Sequence, residues 1–353
     1  TQGVSSAASD VYKRQAQENP WLQSDKCGPT CNACPPPPEM TLPTLALFSG
    51  DPAGIGPELT TKLLAHPDCR AQARILLISH EGAVDLPAGV EAVDWPGRKA
   101  GPFKPGHAGA DNGRYMLQGL SKGLQLVAAG QADAICFAPL NKSALRLGGM
   151  HQEDELRWIA EQLQYTGPCG ELNVLKNLWT SRVTSHVALR EVAGLLTVAK
   201  VVQAIRMISD SLRSAGIAQP RVAVCGLNPH NGDNGNYGDE EGRIIGPAVR
   251  QAAAQGYPAD GPFPADTAFV RALREQEGYD GVVTMYHDQG QIAMKLMGFE
   301  QGVTVQGGLP CAITTPAHGT AYDIVGQGKA KPQAMFNAFA LAARMGASRR
   351  QLT

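Results

Sequence analysis

The 353-residue chain has no run of about 18 or more apolar residues, so no helical membrane span is expected. It has almost no net charge: 31 basic residues face 32 acidic ones, for a formal charge of -1. Nothing in that balance draws it to nucleic acid or to an anionic membrane. The body of the chain also lacks paired cysteine spacing. Cys69, Cys136, Cys169, Cys225 and Cys311 are scattered, as in a reduced cytoplasmic protein. Finally, the dinucleotide-binding glycine fingerprint is missing. The stretch SGDPAGIGPELTTKLL, residues 49–64, has its glycines in another order, and no acid ends the following apolar run, RILLIS. Its glycines are expected to serve close backbone packing rather than to cradle a phosphate.

What is present begins with an apolar content of 43%, enough to bury a large core. The length suits about two domains. Residues 1–39 are polar, lack an apolar period and end in a proline run, so they read as disorder or linker. Within them VSSAASDVYKRQ resembles a translated sequencing adapter, and the natural start is expected at Met40. Cys27, Cys31 and Cys34 have a spacing that can ligate an iron–sulfur cluster, but their setting in this tail reads as unstructured.

From Thr44 onward, short β-rich runs alternate with helical ones. TLALFS (44–49), RILLIS (74–79), ADAICFAP (132–139), ELNVL, SRVTSHVAL, RVAVCGL (221–227), DGVVTMY (280–286) and QGVTVQ (301–306) read as strands. Residues 113–130, 153–163, 197–216 and 332–346 have a helical period. This alternation predicts an α/β fold with a mainly parallel core. No linker separates the halves, so two interleaved domains are expected: 40–150 plus 305–353, and 151–304, with a cleft between them.

In such folds the loops after strand ends carry the chemistry. Three histidines follow strand-like runs: His186 in RVTSHVALR, His230 in GLNPHNGDNG and His287 in MYHDQGQ. Imidazole suits zinc and other transition metals. Asp288 adjoins His287, and Lys295 follows in the same segment. A metal, a carboxylate and a lysine suit oxidation of an alcohol beside a carboxylate, with loss of CO2 where the new ketone lies β to it.

The motifs GDPAGIGPE, GLNPH, GPFPADTAF, MYHDQGQ and HGTAYDIVGQGKA, in this order, resemble the 4-hydroxythreonine-4-phosphate dehydrogenase family from about Thr44 to the C-terminus. The resemblance implies an isocitrate/isopropylmalate-dehydrogenase-like fold of two interleaved α/β/α domains and a cytoplasmic homodimer. It implies NAD as oxidant and a divalent metal (zinc, magnesium, cobalt or manganese) held by His186, His230 and His287, the last from the partner subunit. It places Asp266, Asp288 and Lys295 in catalysis. His151, Lys295, Thr304 and Ile313 fall at substrate positions, and Asn228, His318, Gly319 and Thr320 on the cofactor side.

The sequence departs from the family at the substrate. Thr304 stands where an asparagine is usual, Ile313 where an arginine is usual, and GMHQEDE replaces GHTE around His151. Isoleucine cannot replace an arginine fork on a phosphate. The expected activity is therefore NAD-dependent, metal-assisted oxidation of a hydroxy acid, with decarboxylation. The alternatives are a non-phosphorylated substrate such as a terephthalate-type dihydrodiol carboxylate, 4-phosphothreonate, or an acyl or phosphate transferase on the same fold.

Overall fold

The strand TLALF, Thr44–Phe48 (β1), is buried at all five positions. That is the signature of a strand covered on both faces. Its neighbours β2 (Arg74–Ile78) and β4 (Ala134–Phe137) run parallel to it. Side chains alternate between two cores with the period of the pleat. Leu45, Leu47, Ile75, Leu77 and Cys136 enter one; Ala46, Phe48, Leu76, Ile78 and Ile135 enter the other. Helix α1 (Gly56–Ala65) closes the first core with Leu59, Leu63 and Leu64. Helix α2 (Ala110–Ala128) closes the second with Tyr115, Met116 and Leu120.

The computed structural model describes residues 42–274 and 278–350. The expectations for the tail, for Met40 and for Cys27, Cys31 and Cys34 lie outside these residues. From Leu42 the chain forms one compact unit. A single eleven-stranded sheet runs through it in the order β3 (Val90–Ala92), β2, β1, β4, β11 (Ala312–Pro316), β10 (Val303–Gly307), β5 (Gly170–Leu175), β6 (Leu178–Arg182), β9 (Gly281–Thr284), β7 (Val222–Cys225), β8 (Ala259–Phe263).

The flanks of this sheet are parallel, but its centre is not. β11–β10, β10–β5 and β5–β6 are antiparallel. For β5–β6 and β10–β11 the cause is loop length. Only Lys176 and Asn177 join β5 to β6, and only residues 308–311 join β10 to β11. Connections that short close hairpins, whereas a parallel pair needs a crossover of a dozen residues or more. Two strand expectations change as well. β6 ends at Arg182, so His186 sits in a loop, and CAITTP forms a strand that its sequence did not announce.

Helix α3 (Lys142–Leu147) and helix α4 (Glu155–Gln162) follow β4. Helix α5 (Val198–Ser214) buries Val201, Val202, Ile205, Ile208 and Leu212, and Thr197 caps it by accepting from the Lys200 N–H at 3.2 Å. Helix α6 (Ala265–Ala272) and helix α7 (His287–Gly298) flank the far half of the sheet. Helix α8 (Gln333–Arg350) lies along β11, where Thr314 Oγ1 donates to the Ala338 carbonyl at 2.8 Å. Among the described residues no single helix is long and apolar enough to cross a membrane.

Candidate functional site

β6 and β9 are parallel neighbours, with Arg182 opposite Thr284. The segments that leave their ends carry His186 and His287 to the same edge of the sheet. The two ring centroids lie 5.8 Å apart. A carboxylate stands behind each ring: Glu153 Oε1 is 2.9 Å from His186 Nδ1, and Asp288 Oδ1 is 2.7 Å from His287 Nδ1. With Nδ1 donating to a carboxylate, Nε2 is the lone-pair nitrogen offered to a metal. A metal–nitrogen bond of about 2 Å puts a ring centroid roughly 3 Å from the ion. Two rings at the observed separation can therefore face one ion, and the donor set fits a divalent cation. Beside this pair, ligand atoms of Glu153, Asp154 and His186 lie within 4.8 Å of one another.

The pair opens onto a cleft of about 390 Å³. His186, His287, Lys295, Thr304, His318 and Gly319 all line it, although they come from four separate segments. The cleft floor is a polar network. Arg182 and Glu171 form an ion pair at 2.7 Å, their side chains only 8% and 17% exposed. The same guanidinium donates to Asn173 Oδ1 at 3.0 Å and to Ser185 Oγ at 2.9 Å. Asn173 also accepts from the Gln291 amide and donates to Thr304 Oγ1 at 3.4 Å. Glu155 lines the same cleft, with Oε2 buried and unpartnered, and burial raises its carboxyl above the ordinary value. Lys142 lines it from the first turn of α3.

The other expected residues stand elsewhere. His151 is exposed and is not among the residues lining the cleft; the altered GMHQEDE segment contributes Glu155 instead. Ile313 is fully buried in the second core. Asp266 is exposed in the first turn of α6. Thr320 is buried behind the rim formed by His318 and Gly319. Asn228 donates to Glu240 and Glu241 at 2.7 and 3.0 Å, which holds Glu240 below the ordinary carboxylate value. His287 was expected from a partner subunit, yet one chain already brings it beside His186.

His230 lies outside the cleft, exposed, with its ring 6.5 Å from that of Tyr237. It opens a left-handed turn: His230, Asn231, Gly232, Asp233 and Asn234 all have positive φ, between 43° and 79°. Asn, Asp and Gly visit this region most readily. Asn231 Nδ2 pins the turn by donating to the Pro262 carbonyl at 2.8 Å.

Arg182, Glu171, Asn173, Gln291, Glu155 and Lys142 escaped the sequence reading. A signal existed for two of them. Glu171 and Asn173 sit at i and i+2 of GELNVL, so both point to one face of an otherwise apolar strand.

The family model described as "Pyridoxal phosphate biosynthetic protein PdxA" matches residues 61–342. A Pseudomonas aeruginosa protein provisionally named 4-hydroxythreonine-4-phosphate dehydrogenase 2 is 52% identical over 329 residues, covering 87% of this chain and 98% of its own. The crystal structure of a 4-hydroxythreonine-4-phosphate dehydrogenase from Burkholderia phymatum superposes with a TM-score of 0.74 at 33% identity, covering 86% of this chain and 98% of that one. A beta-decarboxylating dehydrogenase from Thermococcus kodakarensis shares the fold alone, with a TM-score of 0.51 at 14% identity over 84% of this chain and 82% of its own. The α/β fold is thus of the isocitrate/isopropylmalate dehydrogenase type, and the chain belongs to the PdxA family and is a dehydrogenase, an oxidoreductase acting on CH–OH groups.

Proposed function

We propose that the protein oxidises a phosphorylated hydroxy acid with NAD and a divalent metal, and that CO2 leaves the oxidised product. The observation that carries this reading is the His186–His287 pair, each ring backed by a carboxylate, facing Lys295 and the His318–Gly319 rim across one cleft. The names of the relatives supply the substrate class.

His186 and His287 would hold the metal through Nε2, with zinc, magnesium, cobalt and manganese as candidates. When bound, the metal polarises the substrate hydroxyl and NAD accepts the hydride. This chain's residues do the rest. Glu153 and Asp288 fix the tautomer and direction of the two imidazoles, and Asp288 takes the hydroxyl proton through water as the hydride leaves. Lys295 Nζ receives the substrate carboxylate and holds the proton that the carbon takes up after CO2 leaves. Ile313 is sealed in the core, so the cations facing the cleft are Lys142, Lys295 and Arg182, and Arg182 is already committed to Glu171. With Lys295 assigned to the substrate carboxylate, Lys142 takes the phosphate end. Gly319 borders open space, since a Cβ there would meet nothing within 4 Å, and this leaves room for the cofactor beside His318.

The active form in this reading is a homodimer. Ile292 and Leu296, one helical turn apart on α7, are 59% and 85% exposed and give it an apolar stripe to bury. The partner subunit's His230 completes the ligand set. Among the described residues, five free cysteines, four of them buried, suit a reducing cytoplasm.

The test is NADH formation with a divalent metal on 4-hydroxythreonine 4-phosphate, 4-phosphothreonate and a non-phosphorylated dihydrodiol carboxylate. Turnover of the phosphorylated acids, with His287→Ala reducing kcat/KM by at least about a hundredfold, supports the reading. Turnover confined to the dihydrodiol acid would remove the phosphate, and unchanged turnover in His287→Ala would remove the metal.

A further inference from the structure

Behind the cleft rim, a buried carboxylate grips the segment that carries His318 and Gly319. Asp51, in the GDPAGIGPE turn after β1, is fully buried. Its Oδ2 accepts the Tyr322 hydroxyl at 2.5 Å, and its Oδ1 accepts the Ala53 N–H at 3.0 Å. Asp51 itself is anchored, because its N–H donates to the Pro139 carbonyl at 3.0 Å.

The same turn touches the segment at two further points, and the loop after β4 touches it at one. The Ile55 N–H donates to the Thr320 carbonyl at 3.1 Å. A Cβ on Gly54 would come within 2.9 Å of Thr320 Cβ, so only glycine allows this approach. Asn141 Nδ2, from the loop after β4, reaches Thr320 Oγ1 at 3.5 Å. Between the two gripped residues, Ala321 is held at φ 41°, ψ 60°. A non-glycine residue stays in the left-handed region only when its surroundings over-determine it.

We propose that Asp51 is a positioning residue: through Tyr322 it fixes the backbone of residues 318–322 and thereby sets the cofactor-side rim of the cleft. This deepens the proposed function and rests on that reading for its cofactor. The glycine-rich turn is a clamp on a loop some 260 residues downstream, with the contacts just described as the jaws. The carboxylate does not touch the cleft; it acts through the phenol.

The experiment compares wild type with Tyr322→Phe, Asp51→Ala and Asp51→Asn. Amide hydrogen exchange is read by peptide, and NADH affinity is read by fluorescence titration. Tyr322→Phe and Asp51→Ala should speed exchange in residues 318–328 by about tenfold while α5 and α2 stay protected. The same two variants should weaken NADH binding by about tenfold. Asp51→Asn keeps one oxygen for the phenol but turns its NH2 toward the Ala53 N–H, so it should fall between wild type and Asp51→Ala in both readouts. Unchanged exchange in 318–328, or equal loosening of every peptide, would overturn the clamp. Failure of wild type to bind NADH or NADPH would overturn the cofactor reading instead, and the exchange pattern would still decide the clamp.

Discussion

Glu155 shows how one side chain can be invisible in sequence and exposed by environment. It stands last in a run of three consecutive acids, and nothing in QEDEL distinguishes it from Glu153. In the fold its Oε2 is buried without a partner, and burial raises its pKa. The sign of the pH effect follows from that direction. Below about pH 4 the carboxyl is protonated in both folded and unfolded chains, and its favourable contribution is fully present. As pH rises through the elevated folded value, the folded form must ionise a buried group, and that contribution is lost. Glu155→Gln cannot ionise. Its stability advantage over wild type should therefore grow from pH 4 towards pH 7, as read from urea midpoints with a chelator present. Parallel curves would show that Glu155 ionises without penalty.

Among the elements, legibility followed pattern strength. Helix α5 was readable to within two residues at either end because its apolar period and its Thr197 cap agree. Thr197→Ala should cost about 1 kcal/mol in a denaturation midpoint and leave turnover unchanged, since Thr197 is exposed and does not line the cleft. β11 was illegible: CAITTP is short and ends in proline, and only pairing with β4 and β10 makes it a strand. The cleft divided in the same way. His186, His287 and Lys295 sit in motifs with local signatures. The Arg182–Glu171–Asn173 floor arises from register across β5 and β6, which sequence spacing does not reveal. The Asn- and Gly-rich run around His230 reads as a crowd of ligands, yet its left-handed turn already accounts for that composition.

At the scale of the whole molecule, one chain brings the His186 and His287 imidazoles together and leaves that of His230 on an exposed loop. If the partner subunit's His230 completes the site, two inactive variants should repair each other. In a mixed dimer of His186→Ala and His230→Ala chains, one site loses both groups and the other keeps the full set. Mixing them should restore up to about a quarter of wild-type turnover, allowing for random pairing. No recovery would place all three ligands within one chain, or His287 across the interface. Leu296→Glu should separate the dimer in light scattering and abolish that recovery.

The left-handed turn at His230 also restricts what this position can become over evolutionary time. Beyond glycine, the residues that tolerate such a backbone are chiefly asparagine and aspartate. Either would replace a nitrogen donor with an oxygen donor while keeping the turn intact. If residue 230 is a metal ligand as proposed, drift there is steered by conformation toward sites that favour magnesium or manganese over zinc. On that reading, metal preference can change by a single substitution at residue 230 without the loop being rebuilt.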